Sequence, residues 1–405
     1  MFINLHDYSG HPFQIDLSRE LARRGHRVAH TYCAQYVTGR GNLQTTDADS
    51  PGLTIAPLAT RVPFEKYQMA GRVRFEIAYG IAWRRYLKRH DFDAVISCNV
   101  PLLSQAAAER GLRARRTPWI FWHQDIYSKG VVAELRRKRI LGGRRLEQLI
   151  VDLERRQVER AASVVAISQS FVDQYSAWDI KPSRVAVVRN WAPIDEIYPV
   201  DRDNSWSRLH EIPTDRLRLL YSGTLGRKHN PALLLWLLDA LHASGVNAFL
   251  TTCSEGEGAD DLMRAAGSRD DVAVFGFQPA ARLREVLGSG DVLVTLLEPD
   301  ASEFSIPSKV TSYLSAGRPV VGLMPATNPA ACDIVAAGGF TSTPDRGGAH
   351  AAADWIRQLT PDSMALRGSS ARSFAESHYD VQQAADAFEE ELSAIAPGCA
   401  AAEHA

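Results

Sequence analysis

Short apolar runs of β type alternate with amphipathic stretches along this 405-residue chain, in two successive series. That alternation predicts parallel strands joined by crossover helices, because a parallel pair cannot be closed by a tight hairpin. In the first series FINLHDY reads as a strand. SGHPFQIDLSRELARRGHRV follows as a loop and a helix with Ile15, Leu17, Leu21 and Ala22 inward, stopped at Gly25 before the strand RVAHTYCA. FDAVISCN, TPWIFWHQD, ASVVAISQS and SRVAVVRNW each read as a buried strand with a polar exit. The second series comprises LRLLYSGTLGRKHN, VNAFLTTCSEGEG, DVAVFGFQ, GDVLVTLLEPD and GRPVVGLMP, with a helix PALLLWLLDALHAS opened by an Asn230 cap.

The chain is too long for one ordinary core, so the two series predict two α/β domains. Their expected bounds are 1–195 and 214–378, with a proline- and acid-rich linker over 196–213. A helix over 379–395 and a disordered tail over 396–405 follow. Charge supports the division. Residues 1–200 carry 30 Lys and Arg against 20 Asp and Glu, whereas residues 201–405 carry 16 against 27. The basic half concentrates its charge in RRYLKRH (84–90), RARR (113–116) and RRKRILGGRR (136–145). Such clusters are either solvated helix faces or an attraction to phosphate groups or an anionic membrane surface. A net charge of −1 and the lack of a binding motif speak against nucleic acid.

No apolar run reaches the roughly 18–20 residues that span a bilayer, and MFINLHDYSG lacks the pattern of a secretory signal. Five cysteines at 33, 98, 253, 332 and 399 form no CxxC pair, which fits reduced thiols and a cytoplasmic location.

In open parallel sheets, ligands lie beyond the carboxyl ends of the strands. The expected site is therefore the cleft between two such sheets, and the strand exits are where chemistry is sought. At YSGTLGRKHN a strand ends in Gly223, followed by Thr224, Gly226, Arg227 and Lys228. Glycines admit close approach of a ligand, and two cations before a helix can neutralise a diphosphate. The competing reading is a tight turn with a solvated Arg–Lys pair. At LEPDASEFSIPSKVTSYLSAGRPVVG the strand exit carries Glu303 and Ser305, and Pro307 suits a first helical position. The amides of Ser308, Lys309 and Val310 and the Lys309 ammonium would then hold a phosphate, leaving Glu303 for sugar hydroxyls. An ordinary polar loop with a capped helix remains open. FGF (275–277) either offers backbone groups to a nucleobase or is plain strand packing. DYSGHPFQ places Gly10 and His11 at the first strand exit, and WIFWHQDIY places His123 and Asp125 at another. His123 is read either as a hydrogen-bonded structural residue or as a group near the chemistry.

The DxD pairs at Asp47–Asp49, Asp91–Asp93 and Asp201–Asp203 lie in loops, in the linker or at the wrong strand end, so no essential metal and no cofactor are expected. Neither GxxxxGK[ST] nor GxGxxG after the first strand nor GxSxG occurs, which removes the nucleotide and hydrolase motifs of those types.

The succession of glycine loop, mid-domain His, SGTLGRK, FGF, a Glu loop, PSK and AGRPVV resembles retaining GT-B glycosyltransferases of family 4, especially the bacterial colanic-acid and N-acetylfucosamine transferase branch. The resemblance spans nearly the whole chain. It implies an α/β GT-B fold: two Rossmann-like domains whose parallel sheets face across a cleft, with the last helix crossing back to the first. It implies a nucleoside diphosphate sugar donor, UDP favoured over GDP, bound by the second domain, and a lipid-linked or saccharide acceptor at the first. Gly223, Arg227, Lys228, Ser308 and Lys309 would then meet the diphosphate, Phe277 the base, Glu303 the donor sugar and His123 the reacting centre. Gly10, His11 and Asp125 fall on the acceptor side. Two departures stand out. Ser312 occupies the position at which many relatives carry a ribose-binding glutamate, and Thr224 replaces an arginine. The alternatives are a sugar-nucleotide epimerase or hydrolase on the same fold, or a non-catalytic nucleotide-sugar-binding protein.

Overall fold

The computed structural model describes residues 1–36, 41–65, 69–137, 143–226, 229–302 and 307–396. Two compact units emerge, Met1–Asn190 joined by the residues from Val381 onward, and Trp191–Asp380.

The first unit is built on seven strands: β1 (Phe2–Asp7), β2 (Arg27–Cys33), β3 (Leu53–Leu58), β4 (Ala94–Cys98), β5 (Trp119–His123), β6 (Ser163–Ala166) and β7 (Val185–Val187). They are all parallel, in the order β3-β2-β1-β4-β5-β6-β7. Ile15, Leu17, Leu21 and Ala22 of the Pro12–Arg23 helix are buried as their spacing requires, and Gly25 ends the turn with a φ of +97°. SRVAVVRNW departs from the expected buried strand. Val185 and Val187 are 40% and 45% exposed, because β7 is the sheet edge and has a neighbour on one side only. The strand LTIAPL (β3) is not among the expected runs, since Pro57 interrupts it and only Leu53 is buried.

The final helix, Val381–Ile395, belongs to this first unit. Arg24 donates to Asp386 at 2.5 Å and Glu389 at 2.7 Å, and His26 meets Glu389 at 2.9 Å. Glu391 is 5% exposed and accepts from Ser163 at 2.5 Å and Arg184 at 3.0 Å. Phe388, fully buried, packs edge-on against Trp122 with ring centres 4.8 Å apart.

The second unit holds β8 (Leu217–Ser222), β9 (Ala248–Cys253), β10 (Val272–Phe275), β11 (Val292–Leu296), β12 (Val320–Leu323) and β13 (Phe340–Ser342), parallel in the order β10-β9-β8-β11-β12-β13. Its core helix, Ala232–Ala243, buries Leu233, Leu234, Leu237, Leu238 and Leu241 completely. A helix so apolar on all sides must be enclosed, and each buried leucine contributes about 1.5–3 kcal/mol. Ala349, Ala352, Ala353 and Ile356 of the Arg346–Arg357 helix join the same core, three small residues and one branched one at helical spacing. Pro231, not the expected Asn230, holds the cap position of this helix; the Asn230 side chain accepts from the Ala232 amide at 3.1 Å one residue ahead of it.

The proline- and acid-rich stretch after Asn190 packs within this second unit. Arg218, 1% exposed, gathers it by donating to the carbonyls of Pro213 at 2.7 Å and Arg202 at 2.8 Å and to Asp203 at 2.6 Å. Trp206 is equally buried on a short helix, Ser205–Leu209, capped by Asn204.

Candidate functional site

Both sheets reverse direction at one point, between β1 and β4 in the first and between β8 and β11 in the second. At such a switch the two flanking connections leave to opposite faces and open a crevice at the carboxyl end.

In the second unit that crevice is widened by a side chain. The β8–β11 ladder pairs Leu219 with Val292 and Leu220 with Leu293 and stops there. The next outward-facing backbone unit, Ser222, turns instead to the Tyr313 hydroxyl, whose oxygen accepts from the Ser222 amide at 2.7 Å and donates to its carbonyl at 2.8 Å. Tyr313 lies on the Lys309–Ser315 helix that follows β11.

The loop leaving β8 is fixed from three sides. Gly223 donates to Cys253 O at 3.0 Å, the Leu225 amide donates to Ser254 Oγ at 3.0 Å, and the Gly258 amide donates to Leu225 O at 3.0 Å. Gly223 has a φ of +130°, and a β-carbon there would stand 3.0 Å from Lys309 Cε. Glycine is thus required by both conformation and space. Gly226 faces no such contact; its amide donates to His229 Nδ1 at 3.2 Å. Thr224 is exposed, with its carbonyl accepting from Tyr221 Oη at 2.9 Å.

Lys309 comes up against this loop from the other side of the switch. Its ammonium donates to the Tyr221 hydroxyl and lies 4.0 Å from the centre of that ring. No carboxylate reaches it among the described residues. Burial without a counter-charge pulls its pKa down to about 7. A desolvated cation beside a glycine turn is suited to an anionic oxygen, which would restore the lost charge balance. Ser308 is exposed at the helix start, and Ser312 is partly exposed one turn on. The Val310 amide, expected to point outward, donates instead to Pro307 O at 3.2 Å, because the turn at 307–310 closes on itself. Arg227, Lys228, Glu303 and Ser305 lie outside the described residues.

Phe277 stands apart from the switch, beyond β10 at the sheet edge, and is 50% exposed. Its amide donates to Glu255 Oε1 at 3.2 Å, so the backbone donor expected for a base is already engaged.

In the first unit Asp7 governs the switch. Its carboxylate accepts from the Ser9 amide at 3.1 Å, the His11 amide at 2.6 Å and Asn99 Nδ2 at 3.0 Å, tying the β1 exit to the β4 exit. Gly10 turns between them at a φ of +75°. Asp125 is exposed after β5. His123 is 2% exposed, and both ring nitrogens are engaged: Nδ1 with Tyr175 Oη at 2.8 Å and Nε2 with Glu154 Oε1 at 3.3 Å. Glu154 also accepts from the Tyr127 and Ser128 amides at 2.7 and 3.0 Å, which caps the Tyr127–Arg137 helix. Nearby, Arg72 donates to Glu76 at 3.0 Å and to Tyr127 Oη at 2.6 Å.

Sequence reasoning missed Asp7, Asn99, Tyr221 and Tyr313. Asn99 adopts a φ of +55°, a conformation asparagine tolerates at strand exits, and Tyr313 follows Lys309 at the helical i+4 spacing. Among the described residues, no group of three or more His, Cys, Asp or Glu side chains is placed to hold a metal ion.

Two parallel-sheet α/β units of this topology match solved structures of the GT-B fold. Residues 15–191 match the family described as Glycosyl transferase 4-like domain, a span that falls, but for its last residue, in the first unit. Among solved structures, sucrose-phosphate synthase from Thermosynechococcus elongatus superposes with a TM-score of 0.74 at 16% identity, covering 97% of this chain and 100% of its own. Anabaena HepE in complex with UDP-glucose gives 0.66 at 17% identity, covering 97% and 99%. A UDP-forming α,α-trehalose-phosphate synthase from Burkholderia vietnamiensis gives 0.70 at 11% identity, covering 98% and 99%. No curated protein matches the sequence.

Proposed function

We propose that this chain is a glycosyltransferase that moves a sugar from a nucleoside diphosphate donor to a lipid-linked or saccharide acceptor, with retention of anomeric configuration. The observation that carries this reading is Lys309: an ammonium that no carboxylate among the described residues reaches, set beside Gly223 at the switch point of the second sheet. The fold it shares with HepE, which was solved with UDP-glucose, supports a UDP-sugar over a GDP-sugar.

In the proposed reaction the bond between the donor's anomeric carbon and the diphosphate oxygen breaks. A bond from the acceptor oxygen to that carbon forms on the same face, and the acceptor's proton passes to an oxygen of the departing diphosphate. The chain's contribution is charge already in place where the leaving group gains it, from Lys309 and the loop starting at Gly223. Arg227 and Lys228 are proposed to add to it and Glu303 to hold the donor sugar, while Ser312 offers one hydroxyl where a carboxylate would grip ribose with two oxygens. No essential metal is required by this scheme.

A lipid-linked acceptor finds support in the Gly143–Arg160 helix. Leu146 and Leu149 are 38% and 66% exposed there, beside exposed Arg144 and Arg145. Exposed leucines among arginines suit the surface of an anionic membrane. No helix among the described residues is long and apolar enough to cross one.

A thermal-shift screen of UDP, GDP and their sugars tests the donor reading, and product analysis with membrane extracts as acceptor tests transfer. Stabilisation by none of these nucleotides removes the proposal. Rapid donor consumption without acceptor would favour an epimerase or hydrolase.

A further inference from the structure

Tyr221 occupies a position that packing alone does not explain. Its ring is fully buried in β8, yet its hydroxyl sits at the crevice and is used twice. It donates its single proton to Thr224 O at 2.9 Å, which leaves a lone pair for the Lys309 ammonium. The ammonium's remaining N–H bonds are thereby turned away from the tyrosine, and its stem lies against Gly223. One hydroxyl thus sets both the loop backbone and the nearby cation. Among the described residues, the titratable groups around it are Tyr313 on the same helix as Lys309, Cys253 at the end of β9, and His229, whose ring centre is 6.5 Å from that of Tyr221. Burial pushes the Tyr313 and Tyr221 phenols and the Cys253 thiol up, so all three stay neutral through the physiological range.

We propose that Tyr221 is a positioning residue for a nucleotide diphosphate: it holds Lys309 against Gly223 and fixes the Thr224 carbonyl, so that charge and loop meet the same phosphate. This rests on the nucleotide-sugar reading above. Tyr221 acts through Lys309 and touches no reacting atom.

The experiment compares wild type, Tyr221→Phe, which keeps the ring, and Lys309→Ala. UDP and GDP are titrated calorimetrically from pH 6 to pH 9. Separately, the Lys309 amine is followed by NMR of 13C-methylated lysine without nucleotide. An ammonium that accepts no help from the phenol is easier to deprotonate, so Tyr221→Phe should lower the Lys309 midpoint. It should also weaken the preferred nucleotide about tenfold at pH 7, with a larger loss toward pH 9, while Lys309→Ala abolishes the pH dependence. An unchanged midpoint and unchanged affinity in Tyr221→Phe overturn the proposal and leave the nucleotide reading standing. Failure of wild type to bind either nucleotide, with the midpoint still moved by Tyr221→Phe, overturns the nucleotide reading and the diphosphate role together, although the tyrosine–lysine coupling itself survives.

Discussion

The Tyr313 hydroxyl satisfies both the amide and the carbonyl of Ser222, at 2.7 and 2.8 Å, in place of the neighbouring strand. A side chain from the helix after β11 thereby substitutes for two backbone bonds at the point where β8 and β11 part. The ladder can part there without leaving the Ser222 amide and carbonyl unpaired, which is the condition for a wedge inside a sheet.

Removing that hydroxyl should therefore cost stability out of proportion to one oxygen. Tyr313→Phe strands an N–H and a C=O, and a loss of about 1–3 kcal/mol is expected in urea unfolding of the second unit. A midpoint equal to that of wild type would show that water takes over the two bonds at no cost.

Gly223→Ala meets two obstacles. Its φ of +130° lies in a region that L-residues avoid, and the added carbon would stand 3.0 Å from Lys309 Cε. Displacement of the lysine, with the sheet intact, is the expected result: unchanged circular dichroism and at least a tenfold loss in affinity for the preferred nucleoside diphosphate. Wild-type affinity would separate Lys309 from the anion site.

His123 is bound at both nitrogens by Tyr175 and Glu154, so its truncation falls first on the fold. His123→Ala should lower the stability of the first unit by on the order of 2–3 kcal/mol, since a buried carboxylate and a buried phenol each lose a partner. Sugar transfer lost at wild-type stability would instead assign the imidazole to the reaction.

Acid should loosen the first unit through two other histidines. His6 and His30 are fully buried, and desolvation holds the His6 imidazole well below its ordinary value and the His30 imidazole at about 3. Both are neutral in the folded state, whereas the unfolded chain takes up protons near pH 6.5. As pH falls below about 6.5 the unfolded state binds more protons, and each histidine removes about 1.4 kcal/mol per pH unit until its folded form also titrates. For His30 that window runs from about 6.5 to about 3. Hydrogen exchange of the β1 and β2 amides between pH 7 and pH 4.5 reads the slope. His30→Gln should flatten it, and an equal slope in that variant would exclude His30 as its source.

Much of this architecture was legible before any coordinates, because burial on both faces of a parallel strand writes near-continuous apolar runs. β1, β2, β4, β5, β6 and the first five strands of the second sheet are such runs. β3 and β13 escaped, the one broken by Pro57 and the other only three residues long. At the site, Gly223 and Lys309 were legible as residue types suited to an anion, and only the resemblance placed them on one diphosphate; residue pattern alone does not, because their meeting depends on β8 and β11 being neighbours across a crossover. Tyr221 and Tyr313 read as ordinary core aromatics, and their hydroxyls acquire a purpose only through backbone atoms distant in sequence. His123 shows the converse. Its place at a strand exit left a structural and a chemical reading open, and the partners that enclose it, Tyr175 and Glu154, come from later helices that the local pattern does not reveal.

The return of Val381–Ile395 to the first unit makes the second unit an insertion within it, and this imposes an order of birth. When β1 to β7 leave the ribosome, Arg24 has Glu20 but lacks Asp386 and Glu389, and Trp122 lacks Phe388. All six strands of the second sheet are made before those partners exist. The later-born unit is thus the first that can close, and the earlier one waits with an apolar flank uncovered until residue 395 emerges. Nascent chains arrested with residue 380 just outside the exit tunnel should show a protease-resistant second unit and an open first one, and the reverse pattern would dispose of this sequence of events.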